Sequence, residues 1–206
     1  MKPASLLVLL SLLWPVASSA QPPFGRQLHY IGTRTAGDER APVAIDLDIG
    51  RADSDEVTWI LIDEHVGNRD LGPVHATLDK NGALAIDAAR MTVEEQTVLE
   101  LVALQFEDVD GVDAGDNWDR RAALQGGMRT THFLVRSASD GLIQFEVTRT
   151  LSLGAGGELR GSMSYNSKIA APTELEFSGS LSGASLAFSM RLAGDSFQPR
   201  SAALGF

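Results

Sequence analysis

The stretch "THFLVRSASDGLIQFEVTRTLSL", residues 131–153, contains two alternating runs of apolar and polar residues on either side of Asp140-Gly141. In the second run Ile143, Phe145 and Val147 occupy every other position, with polar residues between them. Successive side chains of a strand point to opposite faces, so this spacing places the apolar residues on one face. Asp-Gly accepts the positive φ angles of a two-residue turn. The stretch therefore predicts an antiparallel hairpin with one buried face.

Similar patterns occur on both sides of this hairpin. Residues 42–50 alternate strictly, residues 57–63 are apolar on both faces, and Asn81-Gly82 separates two short alternating runs. These patterns predict a half-buried strand, a central strand and a second hairpin. Two more strand-like runs follow, at residues 159–169 and 175–192, and the second is broken near Gly183. The second half of the chain is therefore predicted to be an antiparallel meander.

One segment departs from the strand period and predicts a helix over residues 93–106. Thr92 and Glu95 have the spacing of a capping box, in which each side chain binds a backbone amide at the start of a helix. The apolar residues that follow recur at helical spacing on one side. Thr97, Glu100 and Glu107 fall on the opposite side, where we expect solvent. The predicted role of this helix is to cover one face of the sheet, with partner binding as the alternative.

Together these patterns predict a mainly β fold of the α+β type. We expect a curved antiparallel meander or partial barrel, with one amphipathic helix near residues 93–106 packed against its concave face.

The amino terminus has the features of a secretory signal peptide. Residues 1–20 combine Lys2, an apolar run and small residues at the end, and the chain contains no cysteine that could accept a lipid anchor. We therefore expect a soluble exported protein, periplasmic or secreted. Residues 21–198 are predicted to form one domain, and residues 199–206 a loose tail.

The charge balance limits the classes of partner. The formal net charge is −10, which disfavours nucleic acid and anionic lipid because both require clustered cations. We expect no nucleic-acid binding and no stable membrane insertion. A small outer-membrane β-barrel remains an alternative architecture for an exported β-rich chain, although the capped helix has no natural place in the wall of such a barrel.

An acidic stretch, residues 107–119, follows the predicted helix. Its spacing matches no register of a helical-hairpin calcium loop, which needs oxygen ligands at fixed positions and a glutamate at the twelfth. We interpret the stretch as a solvated turn that ends where Trp118 packs on the core. Calcium bound in an irregular loop by Asp113 and Asp116, and catalysis by these carboxylates, are the alternatives.

The pattern Val112-x-x-Gly115-Asp116-x-Trp118 resembles a turn found in poorly characterised exported bacterial β-rich proteins. The resemblance covers about seven residues, and it implies no activity or site.

A second cluster of polar residues surrounds two histidines. His65 and His75 lie near several acidic residues in "DEHVGNRDLGPVH", and imidazole and carboxylate groups are ligands for zinc. The spacing matches no established zinc pattern, so a metal site here is a minor alternative. The chain also lacks the G-x-S-x-G motif of many hydrolases and the phosphate-binding G-x-x-x-x-G-K-[ST] loop.

The resulting functional prediction is a non-enzymatic binding or interaction module without a cofactor. Its partner would be an apolar small molecule, held between sheet and helix, or another exported protein. The alternative is a hydrolase that uses a metal or carboxylates at residues 107–119 or 63–75. An enzyme should bring Asp113, Asp116, His65 or His75 together in one pocket, whereas a binding module should leave them dispersed.

Overall fold

The computed structural model describes residues 24–51, 58–70, 72–78, 84–86, 91–106, 109, 111–124, 127–152 and 156–197. The predicted signal peptide, the hairpin turn at Asn81-Gly82 and the predicted tail lie outside these residues.

The described chain forms one antiparallel sheet of twelve strands and one α-helix. In chain order the elements are β1 (Phe24–Ala36), β2 (Glu39–Arg51), β3 (Thr58–Val66), β4 (Arg69–Asp70), β5 (Val74–Leu78), β6 (Leu84–Ile86), α1 (Val93–Val102), β7 (Asn117–Leu124), β8 (Gly127–Ser139), β9 (Leu142–Leu151), β10 (Gly157–Asn166), β11 (Ala171–Leu181) and β12 (Ala184–Phe197).

The strand order is β6-β5-β3-β2-β1-β12-β11-β10-β9-β8-β7, and the short β4 pairs with β3. From β7 to β12 every strand pairs with its neighbour in sequence, which confirms the predicted meander. The two halves of the sheet are joined where β1 pairs with β12. The predicted mainly β fold, a curved antiparallel sheet with one helix, is confirmed.

The hairpin that connects β8 and β9 has the predicted geometry. Ser139 pairs with Leu142, and the two residues between them, Asp140 and Gly141, have φ angles of 52° and 82°. Positive φ at both central residues is the requirement of the tight turn that suits the twist of paired strands.

Two glycines mark close backbone approaches within the sheet. A Cβ atom on Gly32 of β1 would lie 2.0 Å from the carbonyl oxygen of Ser189, and one on Gly161 of β10 would lie 2.0 Å from that of Glu176. Both neighbours are backbone atoms that cannot rotate away. The path of β1 beside β12, and of β10 beside β11, therefore requires residues without a side chain.

The core lies on the concave face of the sheet. Phe106, which follows α1, makes ring contacts with Trp118, Phe133, Phe145 and Tyr165, at centroid distances from 4.8 to 5.7 Å. These four rings come from the consecutive strands β7, β8, β9 and β10. Curvature lets four neighbouring strands direct their rings at one residue.

Helix α1 begins as predicted and ends four residues earlier than predicted. Glu95 N–H donates to Thr92 Oγ1, Thr92 N–H donates to Glu95 Oε2, and the helix ends at Val102 instead of residue 106. Beyond it, side chains of the sheet bind the backbone: Arg120 donates to Gln105 O at 2.9 Å, and Phe106 N–H donates to Tyr165 Oη at 3.0 Å. These hydrogen bonds to the sheet therefore take the place of the predicted last helical turn. The periodicity of the sequence gives no indication of them.

The predicted solvent-exposed side of α1 is wrong. Thr97 is 3% exposed and Glu100 is 4% exposed, and every residue from Thr97 to Val102 is buried. The helix lies inside the curve of the sheet, so its polar side contacts the protein as well. Among the described residues, no helix is long and apolar enough to cross a membrane.

Candidate functional site

Charged side chains attach both ends of α1 to the sheet. Glu100, near the carboxyl end, is paired with Arg129 of β8 and Arg149 of β9. Glu95, near the amino end, is paired with Arg34 of β1 and Arg69 of β4. We refer to these groups as the carboxy-terminal cluster and the amino-terminal cluster. The helix thereby connects strands from the two halves of the sheet.

The carboxy-terminal cluster is built around a buried arginine. Arg149 Nη1 lies 2.9 Å from Glu100 Oε2, and Arg149 Nε donates to Thr131 Oγ1 at 3.0 Å. Arg129 Nη1 pairs with the other oxygen of the same carboxylate, Glu100 Oε1. The Glu100 carboxylate is therefore shared by two guanidinium groups, an arrangement that suits a delocalised anion.

Arg149 is only 4% exposed. Burial lowers the pKa of Arg149 to about 10, and the nearby Glu100 carboxylate opposes this shift. Arg149 consequently stays protonated at neutral pH, so the sheet presents a buried positive charge that needs an anionic partner.

The amino-terminal cluster gives Glu95 a second role besides capping. Its Oε2 accepts the Thr92 N–H at 2.9 Å, while its Oε1 lies 3.0 Å from Arg69 Nη2 and 3.8 Å from Arg34 Nη1. One buried carboxylate thus begins the helix and fixes it to the sheet.

Glu64 of β3 lies beside this cluster without a hydrogen bond. Its side chain is 0% exposed, neither carboxylate oxygen has a hydrogen-bond partner among the described residues, and Oε1 is 4.0 Å from Arg34 Nη1. Burial raises the pKa of Glu64 to about 7; Glu95 adds to the rise, while Arg34 and Arg69 oppose it. Glu64 therefore titrates near neutral pH.

Sequence reasoning missed Arg149, Glu64 and the burial of Glu100. One signal was present: Arg149 follows Ile143, Phe145 and Val147 at the same two-residue spacing, so it belongs to the buried face of β9. A charged residue at a core position indicates a buried partner, but the identity of that partner depends on where α1 packs.

The predicted calcium candidates Asp113 and Asp116 lie in a turn before β7. Asp113 N–H donates to Asp116 Oδ2 at 2.9 Å, and Asp116 N–H donates to Asp113 O at 3.1 Å. Both residues are exposed, and Gly115 N–H donates to Val135 O of β8 at 2.9 Å. The Asp116 carboxylate thus binds the turn's own backbone.

Trp118 packs on the core from the edge strand β7. Its ring lies 5.7 Å from Phe106 and 5.8 Å from Phe133, centroid to centroid, and its side chain is partly buried.

The predicted histidine candidates lie on the other half of the sheet. His65 of β3 is exposed and lies 3.5 Å from Asp70 Oδ1, while the exposed His75 of β5 pairs in register with Leu61. The structure therefore does not bring His65 or His75 together with Asp113 or Asp116. Within the described ranges, no three His, Asp or Glu side chains are arranged to hold a metal ion.

Changing Asp113 and Asp116 together to Asn is expected to alter the free energy of unfolding by less than about 0.5 kcal/mol. Asn at position 116 can still accept the Asp113 N–H, and both side chains are exposed. Thermal melts with and without millimolar calcium provide the measurement. A calcium-dependent rise of several degrees that the double variant abolishes would instead identify this loop as a cation site.

A groove of about 530 Å³ lies on the face of the sheet opposite α1. Its lining includes Ile31, Pro42, Ala44, His65 and Arg191. Ile31 and Ala44 alternate with buried core residues of β1 and β2, which assigns the groove to the outer face. The concave face, in contrast, is occupied by α1 and core side chains.

The chain matches no protein-family model, and no curated protein matches it significantly.

Proposed function

We propose that this protein is an exported binding module that accepts an apolar ligand on the concave face of its sheet, in the place that α1 occupies in the free protein. The observation that carries the proposal is the attachment of α1: a ten-residue helix inside a curved sheet is held through the buried carboxylates of Glu95 and Glu100, which pair with the mostly buried Arg34 at one end and Arg149 at the other.

The energetics of buried ion pairs favour a displaceable helix. Desolvation of two buried charges offsets most of their attraction, so apolar residues of similar size often hold an interface more tightly, by about 1–4 kcal/mol. Glu95 and Glu100 occupy buried helix positions that apolar residues could fill if their arginine partners were replaced as well. Ion pairs therefore attach α1 less tightly than apolar pairs in the same positions would.

The surface beneath α1 suits an apolar molecule. A ten-residue helix is about 15 Å long, and the buried apolar residues of β11, the strand in backbone contact with α1, are Ala171, Leu175, Phe177 and Leu181. Displacement of α1 would expose this surface along a trough comparable in length to a medium acyl chain.

The proposal predicts that tighter attachment of α1 reduces ligand uptake. In the triple variant Glu100→Leu, Arg129→Met and Arg149→Met, apolar contacts replace the carboxy-terminal cluster, and stability should be unchanged or greater. We expect weaker binding of a neutral apolar dye such as Nile red, measured by fluorescence titration, together with an unchanged or higher melting temperature.

The matched control replaces an exposed pair on the same two strands, Arg136→Met with Glu146→Leu. It should leave dye binding unchanged. Mass spectrometry of the purified protein under native conditions should show a co-purified apolar molecule that is released on unfolding. If neither a co-purified molecule nor dye binding is observed, the proposal is wrong.

The outer-face groove favours a second candidate function, docking of another exported protein. Ile31, Pro42 and Ala44 contribute apolar side chains to its lining. Replacing Ile31 with Glu should then weaken a cross-link to the partner in cells, without changing dye binding.

A further inference from the structure

Glu100 occupies a two-arginine anion site on the sheet. Arg129 and Arg149 each contact one oxygen of its carboxylate, and Thr131 holds the Arg149 guanidinium from the other side. Arg149 donates to Thr131 of the sheet through Nε, and Nη1 donates to Thr97 O of α1. Arg149 consequently keeps one hydrogen bond to the sheet without the helix, and Arg129 lies on the adjacent strand β8.

Departure of α1 would leave this site with uncompensated positive charge. Three mostly buried arginine side chains pair with the carboxylates of α1. They are Arg34, Arg129 and Arg149, which are 11%, 12% and 5% exposed. Glu64 is the acidic group of the sheet that lies beside Arg34. Buried guanidinium groups without an anion are strongly unfavourable. A ligand that replaces α1 therefore binds more tightly when it supplies negative charge where Glu100 leaves.

We infer that the ligand of the concave face is an amphiphile with an acidic head group, a carboxylate or a phosphate, which takes the place of the Glu100 carboxylate between Arg129 and Arg149. This inference rests on the proposed function, because it requires α1 to be displaced. Its apolar chain would lie over the core residues that α1 covers, and Glu100 acts as an internal substitute for the head group in the free protein.

The test compares four ligands with the same apolar chain: dodecanoate, dodecyl phosphate, dodecanol and dodecyltrimethylammonium, each below its micelle concentration. Isothermal titration calorimetry of the delipidated protein gives the dissociation constants. We expect both acids to bind roughly ten- to a hundredfold more tightly than dodecanol, since charge-assisted hydrogen bonds to guanidinium are among the strong ones. The cation should bind more weakly than dodecanol.

Two variants locate the preference. Arg129→Gln should reduce the preference for acid over alcohol about tenfold, whereas Arg129→Lys should retain most of it. Arg136→Gln, on the outer side of the same strand, is the control and should change nothing. Circular dichroism establishes that each variant is folded. If a variant fails to fold, the comparison of the four ligands on the unaltered protein still tests the inference.

Each outcome of the ligand series decides a different question. Equal binding of acids and dodecanol, or a preference for the cation, overturns the acidic head group but retains the apolar binding site. Absence of binding by all four ligands overturns the proposed function itself. Preference for dodecyl phosphate over dodecanoate, or the reverse, assigns the source of the acidic group.

Discussion

Replacing Arg149 by Met is expected to lower the free energy of unfolding by about 3–5 kcal/mol, the loss typical when one partner of a buried ion pair is removed. The Glu100 carboxylate would remain 4% exposed, and Thr131 Oγ1 would lose its donor. Arg129 would still compensate Glu100 in part, which places the loss toward the lower end of this range. Chemical denaturation followed by circular dichroism measures the change.

An exposed pair provides the control for this effect. Arg136 and Glu146 are 58% and 50% exposed, so Arg136→Met should cost at most about 1 kcal/mol. The triple variant that removes both arginines and Glu100 together should regain most of the stability lost by Arg149→Met. Similar losses for Arg149→Met and Arg136→Met would show that the carboxy-terminal cluster does not hold α1.

The second large effect concerns Glu64 and pH. Its pKa is raised from 4.5 to about 7 in the folded protein. At pH values between these two, the folded state therefore keeps a proton that the unfolded state has released. Stability from this group is fully present below pH 4.5 and is lost as the pH rises to about 7. A shift of this size corresponds to a loss of about 3 kcal/mol.

Glu64→Gln, which resembles the protonated form, should remove this loss. We compare the free energy of unfolding of the variant with that of the unaltered protein. This difference should shift in favour of the variant by about 3 kcal/mol between pH 4.5 and pH 8. Denaturation curves across this range give the difference, and Glu146→Gln at the exposed surface should show no comparable change. A stability difference independent of pH would mean that Glu64 is not buried without hydrogen-bond partners.

The two predictions concern different ends of α1. The Arg149→Met variant tests whether the carboxy-terminal cluster holds the helix. The Glu64→Gln variant tests the charge balance beside Arg34 and Glu95 at the other end. If Glu64 ionises above neutral pH, Arg34 is shared by two carboxylates, and attachment of the amino end of α1 should weaken with it. Amide hydrogen exchange in residues 96–103 at different pH values would report that weakening.

Local pattern was sufficient where neighbouring residues determine the structure. The turn at Asp140-Gly141 follows from two residues that accept positive φ, and the alternation around it places Phe145 and Val147 on the buried face. Thr92 and Glu95 determine the start of α1 because their hydrogen bonds span only three residues. The mainly β fold with one helix was predictable from such signals.

Strand β1 shows where alternation fails. Leu28 and Tyr30 face the core, but the next positions on the same face are Gly32 and Arg34. Gly32 is required by the carbonyl of Ser189 on β12, which is more than 150 residues away in sequence. Arg34 is required by acidic groups on β3 and α1. Both break the apolar pattern for reasons that lie elsewhere in the chain.

The sequence by itself determined the hairpins, the meander and the first turn of the helix, since hydrogen bonds and side-chain alternation within a few residues specify them. Only the tertiary structure decided that α1 ends at Val102, that Glu100 is buried against Arg129 and Arg149, and that Glu64 lies without a hydrogen bond. These features depend on residues brought together by the curvature of the whole sheet. An amphipathic helix looks the same in sequence whether its polar side meets water or a buried arginine, because periodicity records the spacing of charges and not their partners.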